Sequence, residues 1–110
     1  MKSLINFINE SVNNTIIDKF VNSLIEYDGA FRPGDKIIRA LIASFIDRDL
    51  YDEIVKTIKP NEANMSQIGR QFEEEYIDDE TYEYMTDEKN IRQLSFDDVY
   101  DRYLELSHLK

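Results

Sequence analysis

Apolar side chains along this chain recur every three or four positions, the period of an α-helix, and seldom alternate as they would in a half-buried strand. Ser3 opens a first helix carrying Leu4, Ile5, Phe7, Ile8 and Val12, which Asn13 and Asn14 weaken. Asn14 or Thr15 then caps a second, whose Ile16, Ile17, Phe20, Val21, Leu24 and Ile25 form one broad face before Asp28-Gly29 stops it. Arg32-Pro33-Gly34-Asp35 reads as a turn ending in an Asp35 N-cap, and Ile37, Ile38, Leu41, Ile42, Phe45 and Ile46 mark the central helix. The period continues through Leu50, Ile54, Val55 and Ile58, with Asp47 or Asp49 able to recap, so the chain runs straight or bends near Arg48 until Pro60 ends it.

Ser66 is placed to cap a helix with Ile68, Phe72 and Tyr76, although Gly69 inside it costs roughly 1 kcal/mol relative to Ala. A short helix from Asp79 to Lys89 has few large apolar residues, which leaves residues 78–92 expected to be less ordered. Ser95 followed by Asp98 is similar to a capping box and opens a last helix with Phe96, Val99, Tyr100, Tyr103, Leu104 and Leu106. The expected fold is all-α, a small bundle of about five helices in one domain spanning residues 1–110, without internal repeats or linkers.

Composition narrows the function. The chain has 110 residues, 42% of them hydrophobic with six Phe and seven Tyr, enough for a small core and against wholesale disorder. The absence of Cys excludes disulfide staples, thiolate metal sites and a cysteine nucleophile. No apolar run approaches the roughly 20 residues that cross a bilayer, and no basic segment followed by an apolar one signals secretion, so the expected location is the cytoplasm. A net charge of −10 and a pI near 4.4 argue against direct contact with nucleic acid or anionic lipid.

The excess charge is localised. Residues 1–72 hold ten acids and nine bases and form a near-neutral helical core, whereas residues 73–110 hold thirteen acids and four bases. The acidic part begins with Glu73, Glu74 and Glu75 and continues through Asp78, Asp79, Glu80, Glu83 and Asp87; Asp97, Asp98 and Asp101 add a second row on the last helix. Like charges at these spacings repel by a few tenths of a kcal/mol per exposed pair, so stability alone would interleave more Lys and Arg. Tyr76, Tyr82, Tyr84, Tyr100 and Tyr103 lie among the acids, and tyrosine is favoured at protein interfaces. Glu73, Glu74, Glu75, Asp78, Asp79, Glu80, Tyr82, Glu83, Asp87, Asp97, Asp98 and Asp101 are therefore the candidate partner-binding residues. An acidic run also serves solubility, and several of these tyrosines are equally suited to the core.

Motifs for chemistry are missing. His108 is the one histidine and sits near the chain end. Asp47, Asp49, Asp52 and Glu53 imitate the start of a calcium loop, but Tyr51 stands where a third oxygen ligand belongs and Asp52 where the turn glycine belongs. Gly29, Gly34 and Gly69 are isolated and form no phosphate-binding loop. Residues 65–72, Met65 to Phe72, are similar to the first helix of a helix-turn-helix, yet Glu73-Glu74-Glu75 follow in place of a basic recognition helix. Neither enzyme activity, a metal nor a cofactor is expected.

Two resemblances refine this reading. Met1-Lys2-Ser3-Leu4-Ile5-Asn6-Phe7-Ile8-Asn9-Glu10 resembles the capsid-targeting leader of internal head proteins of T-even-like bacteriophages, in which a prohead protease cuts after an apolar-x-Glu triplet; Ile8-Asn9-Glu10 matches the triplet. The resemblance implies a phage-encoded protein. In size, acidity, helicity and tyrosine content the chain also resembles phage and plasmid DNA mimics that inhibit restriction enzymes or CRISPR nucleases, in which carboxylates stand in for phosphates. That resemblance implies a non-catalytic anti-defence inhibitor acting in the host cytosol. Its implied partner is a basic nucleic-acid-binding protein such as a nuclease or defence effector. Two other classes stay open. One is an internal head, assembly or homo-oligomeric adaptor protein, for which a homodimer and the basic stripe Arg32, Lys36 and Arg39 would matter. The other is an acidic immunity or antitoxin protein.

Overall fold

The computed structural model describes the backbone of residues 2–58 and 62–108, and the side chains of residues 15–58 and 65–108. Seven helices and no strand occur among them, α1 (Lys2–Phe31), α2 (Asp35–Ile46), α3 (Arg48–Lys56), α4 (Glu62–Glu75), α5 (Asp79–Thr86), α6 (Glu88–Ile91) and α7 (Phe96–His108). The all-α expectation holds.

The central element is α2, because its apolar residues cover most of its circumference. Ile37, Ile38, Ala40, Leu41, Ile42, Ala43 and Phe45 are all buried, leaving Lys36 and Arg39 on the one wet stripe. Phe20, Val21, Leu24 and Tyr27, along one face of α1, are buried in the same core, Phe20 against Phe45 of α2 and Tyr27 against Phe72 of α4. Met65 and Phe72 of α4, Thr81 and Met85 of α5, and Val99 and Tyr103 of α7 close the remaining sides. The aromatic centre is built edge to face: the Phe20 ring lies 5.2 Å from Phe45 and 6.0 Å from Phe72, both near perpendicular.

Local signals explain the corners. The Asp47 N–H bonds the Ala43 carbonyl at 2.9 Å, closing α2, while its carboxylate accepts from the Leu50 N–H at 3.1 Å, opening α3. One residue thus bends the chain at Arg48, and Asp47, Asp49, Asp52 and Glu53 lie along this helix and its cap. Asp78 and Asp87 cap α5 and α6 by accepting from the Thr81 and Lys89 N–H groups. Ser95 caps α7 through the Asp98 N–H at 3.1 Å, as the sequence indicated.

Several expectations are corrected. Asn13 and Asn14 do not break the first helix, and Asp28-Gly29 does not stop it; α1 is continuous to Phe31. Asparagine costs well under 1 kcal/mol inside a helix, less than propagation from the packed half returns. The cap of α2 is Gly34, at φ 99°, while Asp35 lies inside the helix. Ser66 is an interior residue of α4. Arg32 does not share a stripe with Lys36 and Arg39, since it precedes α2 in a left-handed conformation at φ 48°. Residues 78–92 are folded as α5, α6 and their caps, with Met85 fully buried. Pro60 and the side chains of the leader-like segment Met1–Glu10 lie outside the described residues.

Candidate acidic interface

The end of α4 and the start of α5 meet at a tight corner where Tyr76 and Ile77 both bond back to the Phe72 carbonyl. Ile77 turns inward and is buried, which pins the corner to the core and leaves the flanking carboxylates outside. Glu73, Glu74, Asp79 and Tyr82 border one shallow concavity of about 370 Å³, with Ile77 in its lining. Tyr82 is 40% exposed, and its inner edge rests against Phe45, ring centres 6.2 Å apart. A core contact therefore fixes the ring while much of it faces solvent.

The other candidates divide by role. Glu80 pairs with Lys19 of α1 at 2.8 Å, an exposed bridge that raises the lysine's pKa through the hydrogen bond and the charge of Glu80. Asp78 and Asp87 are engaged as helix caps. Glu75, Glu83, Asp98 and Asp101 are exposed, and Asp97 borders a different depression beside Asp47, Leu50 and Phe96. The structure thus brings Glu73, Glu74 and Asp79 together beside Tyr82 and places Asp97 at a different depression. Among the described residues, no Lys or Arg lies within salt-bridge distance of Glu73, Glu74, Glu75, Asp79, Glu83, Asp97, Asp98 or Asp101.

Glu73 is half-buried, and desolvation, reinforced by the neighbouring Glu74 charge and opposed by Arg70, raises its carboxyl pKa. The tyrosines are less uniform than their positions suggest. Tyr103 is buried, Tyr76, Tyr84 and Tyr100 are partly buried, and Tyr82 alone of the five is more than a third exposed. Tyr100 donates its hydroxyl to Asp35 and lies under the Arg39 guanidinium, so it belongs to the α2–α7 contact.

One exposed aromatic escaped the sequence reading. Phe31 ends α1 and is 49% exposed. The signal was its spacing of four from Tyr27, which an expected stop at Gly29 hid. Among the described residues, no helix is long and apolar enough to cross a membrane, and no group of three or more His, Cys, Asp or Glu is arranged to hold a metal. No protein-family model, curated protein or solved structure matches this chain.

Proposed function

We propose that this chain is a non-catalytic inhibitor that binds a basic nucleic-acid-handling protein and excludes its nucleic acid. The observation that carries the reading is the α4–α5 corner, where Glu73, Glu74 and Asp79 share one concavity with the exposed ring of Tyr82 and, among the described residues, form no salt bridge, Arg70 acting on Glu73 only from beyond that distance. Carboxylates spaced along such a surface offer a basic channel the charge that phosphates would, and long-range attraction speeds encounter. Tyr82 supplies short-range contact that salt screens little. The leader-like Met1–Glu10 supports a phage origin, and hence a host nuclease or defence effector as target.

The test begins with affinity capture from the natural host and competition of the captured protein with DNA or RNA over a salt series. Wild-type protein is expected to displace the nucleic acid and to lose grip as salt rises. Reversing Glu73, Glu74 and Glu75 to Lys is expected to weaken binding at least about tenfold with helicity unchanged. Unchanged affinity overturns the reading. A multiple of 13.1 kDa in light scattering without any partner favours the homo-oligomeric adaptor instead.

A further inference from the structure

Arg48 of α3 and Arg70 of α4 border one concavity of about 230 Å³, whose lining includes the buried Leu41 of α2 and Met65 of α4. Glu73 is the one carboxylate in that lining, so bases outnumber acids two to one there, in a chain of net charge −10. Among the described residues, neither arginine forms a salt bridge. A second concavity also holds two cations, but both are engaged, Lys36 with the Thr57 carbonyl at 3.5 Å and Arg39 with the Asp35 carboxylate at 2.9 Å.

The space between Arg48 and Arg70 is prepared for an anion. The Arg48 guanidinium lies 4.9 Å over the ring of Tyr51, which shares the lining; the stack holds its plane while its edge N–H groups stay able to donate. Ser66 adds a hydroxyl from α4. Gly69 lines the concavity too, and an added Cβ there meets nothing within 4 Å, so no packing contact requires glycine at this unfavourable position inside a helix. What the glycine does leave is backbone that a ligand can approach closely. The volume lies below the roughly 300–1,000 Å³ of sites that enclose drug-sized molecules, which suits a single phosphate group.

We infer that Arg48 and Arg70 form an anion site for a phosphate group, either inorganic phosphate or a compact phosphate monoester. Two guanidinium forks match the spread oxygens of a dianion, and Glu73 weakens their attraction without cancelling it. The acidity of the rest of the chain disfavours a nucleic-acid backbone as the source of the phosphate. The site shares only Glu73 with the Tyr82 concavity and stands whether or not a basic partner binds there.

The experiment titrates the full chain with sodium phosphate and, separately, with glycerol phosphate while following backbone and arginine side-chain NMR signals, with sodium chloride at matched ionic strength as the control. Saturable shifts at Arg48, Ser66, Gly69 and Arg70 beyond those in chloride are expected; tighter binding of glycerol phosphate assigns the site to an ester, and equal binding assigns it to the free anion. Arg70 is exposed, and Arg70→Gln is expected to weaken phosphate binding at least about tenfold with helicity unchanged. Glu73→Gln is expected to tighten phosphate binding, the opposite of its expected effect on a basic partner. A response equal to that of chloride overturns the inference, as does phosphate binding undiminished in both Arg70→Gln and Arg48→Gln. A short DNA duplex that shifts these signals at lower concentration than glycerol phosphate overturns it as well.

Discussion

Arg102 of α7 grips Asp18 of α1 through two parallel hydrogen bonds, Nε to Oδ1 at 2.7 Å and Nη2 to Oδ2 at 2.9 Å. Its remaining arm donates to Glu105 one turn on. Val99 and Tyr103 are the buried residues of α7, and this fork adds a polar tie between the last helix and the first. Arg102→Lys keeps the charge and loses the planar geometry. It is expected to cost about 0.5–1 kcal/mol, lowering Tm by about 4 °C, nearly as much as Arg102→Gln. Thermal unfolding by circular dichroism checks this, and a wild-type Tm for Arg102→Lys would leave charge alone as the cause. A double-mutant cycle with Asp18→Asn isolates the pair.

Two glycines separate open space from backbone strain. An added Cβ meets nothing within 4 Å at either Gly69 or Gly34, so sterics against neighbours do not distinguish them. Gly69 lies inside α4, where alanine restricts the unfolded chain and favours the helix. Gly69→Ala is expected to stabilise by up to about 1 kcal/mol and raise Tm by about 4 °C. Gly34 is at φ 99° and ψ 164°, a region essentially restricted to glycine. Gly34→Ala is expected to destabilise by about 1–3 kcal/mol. Equal effects from the two variants in denaturant titrations would contradict this account.

These positions show which parts of the fold were legible in advance. Signals carried by a side chain next to its own backbone could be read, as with Asp47 at the α2–α3 bend and Ser95 at the start of α7. The apolar circumference of α2 likewise marked it as central. What could not be read was set by packing between distant elements. Met65 is fully buried, and α4 starts before it at Glu62, so Ser66 had no terminus to cap. The acidic excess was plain in composition. The division of its members into caps, the Lys19 partner and the group around Tyr82 depends on how α4 and α5 turn at Ile77, which no local pattern encodes.

Tyr103 gives the fold an alkaline limit. Burial, reinforced by Asp28, Asp35 and Tyr100, pushes its hydroxyl pKa up to about 12, against about 10 in an unfolded chain. The folded value is the higher one, so the native state favours the neutral phenol. That contribution is complete below pH 10 and is lost as pH rises from about 10 to about 12. Absorbance titration of tyrosinate is expected to show one late component near pH 12 that Tyr103→Phe removes. A titration in which all tyrosines ionise together near pH 10 while the protein remains folded would overturn the assignment.

Glu73 brings stability and proposed function into opposition. Its carboxyl pKa is raised, first by desolvation and then by Glu74, so the ionised form is the one the fold disfavours. The sign is therefore opposite to that of a carboxylate engaged in a salt bridge: its contribution to stability improves as pH falls through the folded value toward the unfolded one. Glu73→Gln removes the charge at every pH and is expected to raise Tm slightly at pH 7, by no more than about 0.5 kcal/mol in stability, with the advantage vanishing once the carboxyl is protonated in acid. A basic partner reverses the balance, because its cations offset the repulsion between Glu73 and Glu74 and favour the ionised form. The same Glu73→Gln variant is thus expected to bind the partner more weakly while folding more stably. Measuring Tm and affinity on one preparation tests both halves, and a variant that loses stability together with affinity would make Glu73 a structural residue.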